Sequence, residues 1–161
     1  MENETRAEMF ERCYRLYRNM LYRICIVYLK NEADAEDAIH DTFLRLMERD
    51  IRFQTAEHEK AWLIVVVGNI CKDRLRHWSR RQCSVDELAG QLASNDPEPE
   101  TGEILSLILH LPERLILPVY LYYYEGYRTA DIARMLNLNP STLRNRLREA
   151  RLLLRTKWKE D

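Results

Sequence analysis

Glycine is scarce in this chain, four in 161 residues, and proline is little commoner at five. Sandwiches and barrels with many tight hairpins need more turn formers. Long helices with few sharp corners are therefore expected. No apolar run approaches the roughly 18 residues that cross a bilayer. The polar, acidic stretch 1–11 lacks a basic segment followed by an apolar one, so no signal peptide is expected. The four cysteines, Cys13, Cys25, Cys71 and Cys83, form no CxxC pair. Zinc and disulfide readings are both weak, and reduced thiols in a cytoplasmic helical protein are expected. There is no Gly-rich phosphate loop and no nucleophile elbow. Glu36 and His40 stand four apart and could share a metal. Without further close ligands, a surface ion pair is the plainer reading. No catalytic residue, metal or cofactor is expected, so the chain is not read as an enzyme.

Charge of one sign is also missing, at a formal net of −1. That mean conceals segregation. Residues 31–50 hold seven acids and two bases, and 84–103 hold six acids and no base. Residues 72–81 hold five bases and one acid, and 128–159 hold nine bases and two acids. Separate acidic and basic blocks point to two kinds of partner surface.

What the chain has is helical periodicity. Phe10, Cys13, Tyr14, Tyr17, Leu21, Ile24, Cys25 and Tyr28 recur at three- and four-residue spacing, which predicts one amphipathic helix. Asn31 is placed to break the chain or cap a second, acidic helix over Ala33 to Met47. That helix carries Ala35, Ala38, Ile39, Thr42, Phe43 and Leu46 on one face. The polar stretch Glu48 to Glu57 reads as a loop, and a third helix is expected from about Glu59 to Trp78. Its run Ile64-Val65-Val66-Val67 has strand propensity. Helical spacing continues through and beyond it, and no partner strand is nearby, so helix is preferred. A solvated acidic linker is expected over 84–103, with Val85, Leu88 and Leu92 in a short helix or packing locally. Helices then start at Glu103 and at Leu111-Pro112-Glu113. Pro118 inside the latter should kink it or shift its start.

The most informative segment follows Gly126. Thr129 is a plausible N-cap for a short helix to Leu136. Asn137-Leu138-Asn139-Pro140 makes a tight turn, with Asn137 left-handed. Ser141 or Asn139 then caps a long basic helix reaching about Trp158. Short helix, tight turn and longer basic helix make the helix-turn-helix layout. Ile132, Leu136, Leu138, Leu143 and Leu147 are its expected core. Arg144, Asn145, Arg148 and Arg151 point elsewhere. Arginine can read guanine and asparagine adenine in the major groove, and other arginines can hold phosphates. A second basic block, Lys72 to Arg81 with Trp78, suits melted nucleic acid, in which bases stack on rings. It would equally suit a solvated helix end.

These blocks together resemble the extracytoplasmic-function group of bacterial RNA polymerase sigma factors. The resemblance runs through Asp37-Ala38-Ile39-His40-Asp41-Thr42-Phe43-Leu44-Arg45-Leu46, then Trp62-Leu63 with Asn69, Asp73 and Arg76. It continues through Leu111-Pro112-Glu113, Glu125-Gly126, Asp131-Ile132-Ala133 and Thr142 to Arg151. It implies an all-α chain of two small helical domains: 1–83 for core polymerase and the −10 element, and 104–161 for the −35 element. An acidic linker, 84–103, joins them. Asp37, His40, Asp41 and Leu44 would dock on core RNA polymerase. Phe53, Asn69, Asp73, Arg74, Arg76, Arg80 and Arg81 would hold the melted −10 strand of promoter DNA. Ser141, Thr142, Arg144, Asn145, Arg146, Arg148 and Arg151 would read the −35 element. An anti-sigma factor is an expected partner, and no regulatory domain is expected in the same chain. His40, Gly68 and Glu149 depart from the family pattern, Glu149 standing where a cation is usual. The alternative is a stand-alone helix-turn-helix regulator, which would need neither the acidic helix nor the Asn69 to Arg81 block.

Overall fold

A computed structural model of the chain describes residues 4–77 and 99–160. The described residues contain helices and no strand. The chain divides into two units, Met1–Arg80 and Arg81–Asp161.

The first unit is a bundle of three long helices, α1 (Arg6–Leu29), α2 (Glu32–Glu48) and α3 (Ala56–His77). A capping box opens α1. Thr5 Oγ1 accepts from the Glu8 N–H at 3.2 Å, and Glu8 Oε2 accepts from the Thr5 N–H at 3.3 Å, which satisfies two otherwise unpaired donors. The helix ends at Lys30, which is left-handed with φ 55°. Asn31 then caps α2, its Oδ1 accepting from the Asp34 N–H at 3.0 Å. A one-residue left-handed stop followed at once by a cap turns the chain tightly. In α2 the six expected residues, Ala35, Ala38, Ile39, Thr42, Phe43 and Leu46, are all buried. Thr42 survives there because its hydroxyl donates to the Ala38 carbonyl at 2.8 Å, so no polar atom is left unpaired.

The valine-rich run is helical. Thr55 Oγ1 accepts from the His58 N–H at 3.0 Å at the start of α3. Leu63, Ile64, Val67, Gly68, Ile70 and Cys71 are buried, while Val65 and Val66 are half-exposed. Each buried leucine or isoleucine contributes roughly 1.5–3 kcal/mol. That tertiary gain, absent for an isolated strand, overrides the local propensity. Cys13, Cys25 and Cys71 are free and buried. The thiols of Cys25 on α1 and Cys71 on α3 meet at 3.8 Å. Trp78, Cys83, Val85, Leu88 and Leu92 lie outside the described residues.

The second unit runs α4 (Pro99–Ile108), α5 (Glu113–Val119), a π-helical segment (Tyr120–Tyr124), α6 (Thr129–Leu136) and α7 (Pro140–Glu160). Helix α4 starts four residues before the expected Glu103, with Pro99 in the first turn, where its missing N–H costs nothing. Pro112 sits just before the helix, as the N-cap of α5. Pro118 does not break the helix, and the chain widens into the π-helical segment directly after it. Pro118 cannot donate to a carbonyl one turn back. The Tyr120 N–H still bonds the Ile116 carbonyl, and a longer ring follows from the Glu125 N–H to the Tyr120 carbonyl at 3.1 Å. The Tyr120 hydroxyl donates to Glu125 Oε1 at 2.8 Å, and its ring stacks on Tyr124 at 4.9 Å.

One capping expectation fails. Thr129 is the first residue of α6, and the N-cap is Arg128, which makes no side-chain cap bond. Gly126, at φ +77°, turns the chain early. The extended Arg128 therefore presents its carbonyl to the N–H groups of Asp131 and Ile132, both at 3.0 Å. Asn137 is left-handed at φ 54° as expected, and its N–H and that of Leu138 close the helix end. Helix α7 starts at Pro140, with the Leu143 N–H bonded to the Asn139 carbonyl at 3.0 Å. Ile132, Ala133, Leu143, Leu147 and Ala150 are buried, whereas Leu136 and Leu138 are half-buried.

Candidate nucleic-acid interface

Successive residues of a helix step about 100° around its axis. On α7, Leu143, Leu147 and Ala150 form the buried stripe, so Ser141, Asn145 and Arg148 fall opposite it, all exposed. Arg144 and Arg151 are exposed on one flank. Thr142 and Arg146 lie on the other flank and are half-buried. The seven residues named from the sequence thus occupy one broad outer surface, graded from its centre to its edges. Glu149, which the sequence reading left without a role, accepts from Arg114 of α5. It ties the long helix to its neighbour, and that explains an acid among so many bases. Tyr123, Leu107, Ile108, Val119 and Leu154 line an apolar recess of about 310 Å3 in the same unit.

In the first unit the acidic surface of α2 is open at Asp37, His40 and Leu44. Asp41 is only half-exposed, because Arg74 of α3 donates to its Oδ2. Glu36 is held by Arg18 of α1 at 2.8 and 3.1 Å. Glu36 is thus engaged in an ion pair with Arg18. Among the described residues no group of three or more metal-ligating side chains converges.

The structure treats the expected −10 residues unequally. Asn69 and Asp73 are exposed on α3, and Arg76 is exposed beside Asp73 at 3.6 Å. Arg74 is covered and paired. Phe53 is buried, its ring 5.3 Å from His58 and 5.7 Å from Trp62. It therefore anchors its loop and presents at most an edge. Arg80 and Arg81 lie outside the described residues.

Sequence reasoning missed a polar network next to that loop. Glu59 of α3 is 1% exposed, and Arg12 of α1 reaches both its oxygens at 2.6 and 2.8 Å. Arg12 also forks onto Glu4 at 2.8 and 3.0 Å. The guanidinium is held well above its ordinary range by its bonds to Glu59 and Glu4, and its bond to Arg12 pulls the Glu4 carboxyl down. Burial, followed by the nearby Glu59 charge, pushes the Cys13 thiol and the Tyr17 phenol up to about 12 each. Glu4, Arg12 and Glu59 form one wall of a recess of about 450 Å3, and Arg52, Phe53 and Gln54 of the loop form another. The only signal in the sequence was an acid within an otherwise apolar helical stripe.

Comparison with known proteins matches these two units to two family descriptions. Sigma-70 region 2 covers residues 13–81, and Sigma-70, region 4 covers 101–154. Among similar curated proteins, the ECF RNA polymerase sigma factor SigM of Mycobacterium tuberculosis is 27% identical over 90% of this chain and 74% of its own length. SigM of Bacillus subtilis is 26% identical over 88% of this chain and 90% of its own, and SigW of the same organism is 24% identical over 90% and 86%. Two regions in the right order, an all-helical fold and relatives spanning most of both chains agree. The chain belongs to the extracytoplasmic-function group of RNA polymerase sigma factors.

Proposed function

We propose that this sigma factor divides its work between the two units at particular side chains. The exposed face of α2, with Asp37, His40, Asp41 and Leu44, docks on core RNA polymerase. Two acids and a histidine beside one leucine suit a basic partner with an apolar spot. The loop 49–58 and the exposed face of α3 hold the melted −10 strand. Asn69 and Asp73 offer amide and carboxylate hydrogen bonds, and Arg76, Arg80 and Arg81 supply phosphate contacts. Phe53 and the Arg12–Glu59 network keep the recess beside this loop open, as a pocket for an unstacked base requires. Helix α7 enters the major groove of the −35 element. Asn145 and Arg144 read base edges. Ser141, Thr142, Arg146, Arg148 and Arg151 grip the backbone and set the register.

The observation that carries this reading is the outer surface of α7. Arg144, Asn145, Arg148 and Arg151 are exposed, while Leu143, Leu147 and Ala150 seat the helix. The protein acts in the cytoplasm as a non-enzymatic factor, and an anti-sigma factor that covers α2 or α7 would silence it. No described helix is long and apolar enough to cross a membrane. The test is transcription by core polymerase on a library of randomised promoters. Initiation that depends on this chain, with a preference that Asn145→Ala relaxes at one or two −35 positions, is the expected result. If core polymerase does not bind at all, the docking assignment fails. If it binds and Asn145→Ala leaves the −35 preference intact, the reading-helix assignment fails.

A further inference from the structure

Arg74 and Arg76 are both bases of one helix, but two residues along an α-helix turn the side chain through about 200°. They cannot serve one surface. Arg76 is 70% exposed, with Asp73 beside it at 3.6 Å. Arg74 is 15% exposed and reaches from α3 to α2. Its Nη2 donates to Oδ2 of Asp41, and Asp41 stays 44% exposed. A covered guanidinium already engaged by a carboxylate has little reach left for a phosphate. An aspartate held at one oxygen keeps its remaining acceptor sites for a partner, since a carboxylate can take about four hydrogen bonds.

The geometry points to Arg74 as a positioning residue for polymerase docking: it fixes the Asp41 carboxylate on the outer face of α2. The inference rests on the proposed docking role of Asp41 and deepens it. The docking stripe of α2 holds Asp37, His40, Asp41 and Leu44. Among the described residues, Asp41 is the one of these four with an ion pair to a neighbouring helix. An exposed carboxylate must give up side-chain freedom when a partner binds, whereas one already held in place does not. The same contact ties α2 to α3 across 33 residues of sequence. It thereby fixes the outer edge of the docking helix against the helix that faces DNA.

The experiment measures the affinity of the labelled full chain for core polymerase. At saturating polymerase it then measures capture of a single-stranded −10 oligonucleotide. Arg74→Gln is expected to weaken polymerase binding about three- to tenfold and to leave oligonucleotide capture within twofold. Arg76→Gln is expected to do the reverse. Arg74→Lys, which keeps the charge but loses the fork, should restore part of the polymerase affinity, and this guards against a Gln variant that merely folds poorly. The double variant Asp41→Asn with Arg74→Gln should bind polymerase no more weakly than Asp41→Asn alone, because Arg74 acts through Asp41. A general structural role would make the two losses add. If Arg74→Gln lowers oligonucleotide capture and spares polymerase binding, Arg74 is a DNA contact and the inference is wrong. If Asp41→Asn weakens docking but Arg74→Gln does not, positioning fails and the docking reading stands. If Asp41→Asn itself changes nothing, the docking reading fails and takes the inference with it.

Discussion

Glu59 puts an acid among the buried residues of the first unit. An ionised carboxylate at 1% exposure is costly unless something offsets its lost hydration, and Arg12 does so with two hydrogen bonds. Removing only the cation leaves the acid buried and alone. Arg12→Met should lower stability by about 3 kcal/mol, at the low end for a broken buried pair because the guanidinium keeps one edge in water. The double variant Arg12→Met with Glu59→Met should recover much of that loss. Urea denaturation followed by circular dichroism measures both, and a double variant worse than the single would contradict the argument. The same burial sets an alkaline limit. The thiol of Cys13 ionises near 9.0 in an unfolded chain but only at about 12 in the folded one. The phenol of Tyr17 rises from 10.0 to about 12. Between those values the folded chain binds more protons than the unfolded chain, so stability is fully present below pH 9 and falls as the pH rises toward 12. Cys13→Ala should flatten the first part of that decline in urea midpoints recorded from pH 8 to 11.

At the scale of elements, the turn between α6 and α7 places the reading helix, and Asn137 is its pivot at φ 54°, ψ 48°. A β-branched residue there must adopt a left-handed conformation that costs roughly 1–2 kcal/mol. Asn137→Val should lower the thermal midpoint and weaken duplex binding together, whereas Asn137→Gly should keep both near their starting values. Loss of stability with unchanged duplex binding would mean that the turn does not orient α7. This turn was legible in the sequence because the conformation is a property of the residue itself. The α2 face was legible for a similar reason, since six small or apolar residues at helical spacing leave one way to bury them. The π-helical segment after Pro118 was not. Proline announces a lost hydrogen bond, but the Tyr120 hydroxyl on Glu125 and the stack on Tyr124 select a wider helix over a break. Thr129 was misread because a capping side chain announces itself, whereas the early turn at Gly126 that brought Arg128 into that place does not. The candidate site divides along the same line. The exposed residues of α7 follow from a helical wheel. The pairings of Arg74 with Asp41, of Arg114 with Glu149 and of Arg12 with Glu59 join residues 33 to 47 apart in sequence, and only tertiary packing brings them together.

For the whole molecule, a net charge of −1 would suggest indifference to DNA. Charges in water are screened within about 10 Å at 0.1 M salt. DNA therefore senses the block it touches and not the sum. Residues 128–159 carry nine bases and two acids, and Asp131 and Glu149 are both engaged with arginines of the same unit. The acidic face of α2 lies in the other unit, and at low salt its repulsion should act on encounter more than on the bound state. Binding of the full chain to a −35 duplex should thus be strongly salt-dependent despite the near-neutral total. Each phosphate neutralised adds about −0.9 to the slope of log affinity against log salt. Arg148→Ala should flatten that slope by about 0.9 and weaken all duplexes alike. Asn145→Ala should leave the slope unchanged and alter the ranking of sequences. Titrations by fluorescence anisotropy between low and physiological salt separate these outcomes. A slope near zero for the unaltered chain would show that the mean charge governs, and the assignment of the basic helix to the DNA backbone would have to be abandoned.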